Sequence, residues 1–65
     1  MPNIIVSLTQ EMARVRALLP RLDPIRLHEA QTVLRFAGEH MAMNSLEGMQ
    51  ESLDDLREFT VGPKK

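Results

Sequence analysis

His28 and His40 are the two imidazoles of the sequence, and no cysteine accompanies them. Imidazole can hold a metal or carry a proton near neutral pH. Twelve residues apart on one helix, the pair would project roughly 120° apart around its axis, so that helix cannot bring both to one ion. Each has polar neighbours, and a solvated side chain is the expected state. Ser7, Ser45 and Ser52 offer hydroxyl groups. No base stands beside them in sequence, and helix caps or helix surface account for their positions. Neither catalysis nor a cofactor is expected.

Charged groups point to contacts rather than chemistry. Glu47, Glu51, Asp54, Asp55 and Glu58 fall on one side of a predicted helix. Glu47–Glu51, Glu51–Asp55 and Asp54–Glu58 are each four residues apart, and such like-charge pairs weaken a helix by about 0.2–0.5 kcal/mol each. Asp55 and Glu58 also oppose the helix dipole. The stripe is therefore a solvated face or a contact for a basic partner. A straight helix spreads it too widely for one cation's coordination sphere. Arg21 and Arg26 flank the predicted start of the second helix, where free amides favour an anion, so they form a candidate anion contact. No glycine-rich loop accompanies them, which argues against a nucleotide site.

These residues must be positioned by a chain of 65 residues, enough for one domain. A domain this short has a thin core and usually needs a disulfide, a metal or a partner subunit. With no cysteine to supply the first, a partner subunit is expected. The net charge of −1 gives the whole molecule no strong attraction to nucleic acid or to an anionic membrane. Two phenylalanines, with no tyrosine or tryptophan, give little to stack bases on. No apolar run approaches a membrane span, and Met1 to Gln10 lacks the basic residue that opens a signal peptide. A cytoplasmic protein is expected.

Hydrophobic periodicity predicts an all-α fold with helices at about 4–19, 24–42 and 45–60, and a disordered tail at 61–65. In the first helix Ile4, Ile5, Leu8, Met12, Val15 and Leu19 share one arc, and Pro20 stops the helix. Ser7 and Gln10 could instead form a capping box that starts it later. Asp23 and Pro24 suit the start of the second helix. There Leu27, Ala30, Leu34, Ala37 and Met41 form one apolar face, with Gly38 alongside to admit a close neighbour. Ile25, Phe36 and Met43 form a second group almost opposite. The third helix repeats apolar residues at Leu46, Met49, Leu53 and Leu56, with Phe59 nearby, out of phase with Met41. A break near Ala42 to Asn44, with Asn44 as cap, explains the jump. One bent helix from Pro24 to Phe59 is the alternative.

A middle helix that is apolar on two sides needs two things to pack against. The chain is therefore expected to assemble as a homodimeric helical bundle. Ile25, Phe36, Met43, Leu46, Met49, Leu53, Leu56 and Phe59 would form its partner or self interface. The function this suggests is a small protein–protein interaction module, a regulator, adaptor or inhibitor of a larger protein. The alternative is a dimeric DNA-binding regulator of ribbon-helix-helix type, with Ile4 to Leu8 as the strand. Its DNA-facing residues would be Asn3, Ile5 and Ser7, which include no lysine or arginine.

Overall fold

The first helix begins where Asn3 turns its side chain back on the chain. Asn3 holds an extended backbone, and its Oδ1 accepts a hydrogen bond from the Ile5 amide at 2.8 Å. This satisfies a donor that the first turn of a helix leaves free. In the computed structural model, which describes residues 3–62, that cap opens α1, Ile4–Leu18. The β-branched run Ile4 to Val6 is helical, so the strand expected at Ile4 to Leu8 under the ribbon-helix-helix alternative is not found. Ser7 lies inside α1 and is not its cap. Pro20 acts as expected, one residue early: Leu19–Arg21 tighten into a 3₁₀ turn.

Asp23 opens α2, Pro24–Ala42, by accepting the Arg26 amide at 2.8 Å, with Pro24 in the first turn. The far end of α2 is closed by backbone alone. Asn44 adopts φ 55°, the left-handed region. Its amide donates to Met41 O at 3.1 Å, while the Ser45 amide donates to His40 O at 3.0 Å. These two bonds are the Schellman arrangement that ends helices. Ser45 then accepts the Gly48 amide at 3.1 Å and starts α3, Leu46–Thr60. The cap of α3 is thus Ser45, not Asn44, and the continuous bent helix is excluded by Asn44's left-handed turn. Asn44→Gly should hold or raise the melting temperature, because glycine has no β-carbon to crowd the backbone there. Asn44→Ala should cost about 1 kcal/mol, because it keeps the β-carbon and loses the short polar side chain that lets asparagine enter the left-handed region. Thermal denaturation of both variants checks this; equal effects would remove the turn's strain.

Three side-chain pairings tie the helices together. Thr9 Oγ1 lies 4.0 Å from Met41 Sδ, His40 meets Ser52, and Thr60 meets Glu11. α3 is thus tied to both α1 and α2. Leu8, Met12 and Val15 of α1, Ala30, Leu34 and Ala37 of α2, and Met49, Leu53 and Leu56 of α3 form the core. The described residues contain three α-helices and no strand. Gly38 does not admit a close neighbour as expected, since a β-carbon there would meet nothing within 4 Å. Alanines 30 and 37 line the seam of α2 instead. Val61 and Gly62 follow α3 as a turn and an irregular residue, and the rest of the expected tail lies outside the described residues.

Candidate functional site

The topology gathers exposed apolar side chains where α2 hands over to α3. Phe36, His40 and Met43 follow one another at spacings of four and three, so they form a ridge along the last turns of α2. Met43 is 73% exposed, Leu46 at the start of α3 is 68% exposed, and Phe36 is 43% exposed. Ile5 and Val6, in the first turn of α1, are exposed as well.

His40 is the fixed point of the ridge. Its ring lies 6.4 Å from that of Phe36 in a stacked arrangement. On its other side, Nδ1 and Ser52 Oγ share a hydrogen bond of 2.8 Å. The ring can settle there because α3 presents Gly48 beneath it. A β-carbon at Gly48 would come within 2.5 Å of His40 Cδ2. The solvated histidine expected at position 40 is therefore a packed one, and Ser52 is buried rather than on the surface. With the Ser52 hydroxyl out of solvent, the pair fastens α2 to α3 and offers no nucleophile to a substrate. His28 is exposed on the outer side of α2, as expected.

Exposed carboxylates neighbour the ridge along the chain. Glu39 precedes His40 on α2, and Glu47 and Glu51 stand on the first turns of α3, all exposed. Asp54, Asp55 and Glu58 continue the exposed acidic stripe along α3. The Arg35 guanidinium lies 5.7 Å from the centre of the Phe36 ring.

The remaining expected contact residues separate. Ile25 is exposed, but it lies at the opposite end of α2, about 27 Å along the axis from Met43 at 1.5 Å per residue. Ile25, Phe36 and Met43 share a side of α2 without forming one patch. Met49, Leu53 and Leu56 are buried in this chain's own core. Their expected place in a partner interface is corrected, because α1 covers them. Phe59 is half-buried, packed on the core with the Arg26 guanidinium 4.7 Å above its ring.

The Arg21–Arg26 anion contact also changes character. Arg26 lies 3.9 Å from Glu29. It lines a shallow depression with Glu29, Asp55 and Glu58. The Asp23 carboxylate already occupies the N-terminus of α2. An arriving anion would meet carboxylates where free amides were expected, while Arg21 stays exposed on the 3₁₀ turn. Among the described residues no cluster of potential metal ligands occurs, and no helix is long and apolar enough to cross a membrane.

One polar residue escaped the sequence reading. Glu11 is 5% exposed, accepts a hydrogen bond from Thr60 Oγ1 and is paired with Arg14 at 3.0 Å. Its position was visible on the helical wheel, roughly 20° from Ile4 at the edge of the apolar arc. Its partner on α3 was not. Comparison with known protein families, curated proteins and solved structures finds no match for the chain.

Proposed function

We propose that this chain is a small helical binding module, a regulator or adaptor without catalytic activity, that engages a larger protein through the ridge Phe36–His40–Met43 and the adjoining Leu46. The observation that carries the reading is the exposure of three large apolar side chains around a ring held in place from behind. Exposed apolar surface of this kind marks contact sites more often than it persists unused. The rigid mounting of His40 favours binding, because little side-chain freedom is lost when the ridge is covered. The acidic surroundings favour a protein partner over nucleic acid or an anionic membrane. A cytoplasmic setting remains part of the proposal. A second copy of the chain, the homodimer expected from the sequence, is the alternative occupant of the same ridge.

The test is affinity capture from the source cells with the wild-type chain, Phe36→Asp and Ile25→Asp. Phe36→Asp should keep the helical circular dichroism of the wild type and lose the captured partner by more than tenfold, in the range of about 2 kcal/mol seen for central contact residues. Ile25→Asp, at the other end of α2, should capture as the wild type does. Identical recovery by all three would remove the ridge as the contact surface. Sedimentation of the same samples separates a second copy from a foreign partner.

A further inference from the structure

We propose that the ridge receives a cationic amphipathic helix of another protein, one that sets lysines or arginines beside its apolar anchors. This deepens the binding reading above and rests on it.

The distribution of charge selects the occupant. The ridge is carried by the end of α2 and the start of α3, while the start of α1 shares a depression with Gln50, Leu53 and Arg57 of α3. From Asn3 to Ala13, and from Leu46 to Leu56, there is no lysine or arginine. Arg14 and Arg16 follow that part of α1, Arg57 faces Ile4, Ser7 and Gln50 across a depression, and Arg21 and Arg26 lie at or before the far end of α2. Along the chain from Arg35 to Leu56, Glu39, Glu47 and Glu51 are therefore accompanied by Arg35 as the one lysine or arginine of that stretch. A second copy brought ridge to ridge would bring the same carboxylates with it, and like charges across an interface are strongly discriminated against. A phosphate backbone or an anionic lipid surface meets the same opposition. A cationic partner gains from it.

The Phe36 ring supplies an independent indication. The Arg35 guanidinium already lies 5.7 Å from its centre, within the range where a cation is drawn to an aromatic face. The ring is partly exposed, with the His40 ring stacked beside it. Spacing supplies the shape. Phe36, His40 and Met43 form a row at four and three residues, and rows of this kind seat in the grooves of a neighbouring helix. Leu46 extends the apolar contact past the turn, while Glu47 and Glu51 stand beside it to meet flanking cations.

The test uses two synthetic helices of about 18 residues, long enough to hold helical structure. Both carry leucines at spacings of three and four; one is flanked by lysines and the other by glutamates. Binding is followed by the backbone amide resonances of the isotope-labelled chain. The lysine helix should shift Phe36, His40, Met43 and Leu46. Its affinity should fall about tenfold in the combined variant Glu39→Gln, Glu47→Gln, Glu51→Gln at low ionic strength. These side chains are exposed, so the variant should keep the fold. If both helices shift the ridge equally, or the combined variant binds the lysine helix unchanged, the ridge is a contact surface without a preference for cations and this inference is overturned alone. If neither helix shifts the ridge, and sedimentation shows a dimer that Phe36→Asp dissociates, the occupant is a second copy and the cationic partner is ruled out. If neither shifts it and the chain is monomeric, the binding reading fails as well.

Discussion

Leu56→Ala is expected to destabilise the bundle by about 3 kcal/mol and to lower its melting temperature by about 15 °C. Leu56 is fully buried, on the inward face of α3 and part of the core drawn from all three helices. Removing its branched end leaves a void that the surrounding side chains can only partly close. A domain this size has about 3–9 kcal/mol of stability in total. The loss is therefore a large share of the whole. Leu46→Ala is the matched control. The residue type is the same and the helix is the same, but Leu46 is 68% exposed, and the expected change is within about 0.5 kcal/mol. Urea unfolding followed by far-ultraviolet circular dichroism measures both. A Leu46 substitution as damaging as that of Leu56 would mean that the assignment of inner and outer faces of α3 is wrong.

Gly48→Ala should destabilise the protein by about 1–2 kcal/mol, although the same change in an open helix stabilises by about 1 kcal/mol. The sign is set by His40. Contact distances of 2.5 and 2.6 Å from the new β-carbon to Cδ2 and Cγ of the ring are far inside van der Waals separation. The atoms involved belong to a ring stacked on Phe36 and bonded to Ser52, not to the free end of a flexible chain. If the ring moves, Ser52 loses its partner while buried, which carries its own cost of about 1–3 kcal/mol. Deleting the ring should reverse the effect: in a His40→Ala background, Gly48→Ala should be neutral or stabilising. The double-mutant cycle is read by chemical denaturation. Gly48→Ala raising stability in the wild-type background would show that the ring does not depend on the missing β-carbon.

What was legible in the sequence was local. The apolar stripes of α1 to α3, the stop at Pro20 and the capped start at Asp23 and Pro24 are properties of neighbouring residues, and each emerged within a residue or two of its expected place. The break before α3 announced itself as a phase jump between Met41 and Leu46. Its mechanism did not, because Asn44 suits both a cap and a left-handed turn, and backbone bonds decide between them. The outward placement of Phe36 and Met43 was readable from their angle around α2. Their separation from Ile25 was not, since a wheel projection discards distance along the axis. The larger error concerned Met49, Leu53 and Leu56. An apolar stripe shows that a face is to be buried without showing what buries it, and here α1 packs on α3 and covers all three. The ties that make this possible, Glu11 with Thr60 and His40 with Ser52, join residues that no local pattern connects.

The pairing of Glu11 with Thr60 also orders events in time. α2 and α3 are neighbours along the chain and close on each other through a tight turn, so their pairing requires only a short loop. α1 packs alongside α3, and its fastening spans almost the whole described sequence, so it carries the largest entropic demand of loop closure. The hairpin of α2 and α3 should therefore form early, with α1 arriving last and leaving first. During synthesis α1 emerges from the ribosome before the surface it will cover exists. Until translation reaches Thr60, its row of Leu8, Met12 and Val15 is a greasy segment awaiting its mate, and the nascent polypeptide is most open to chaperones in that interval.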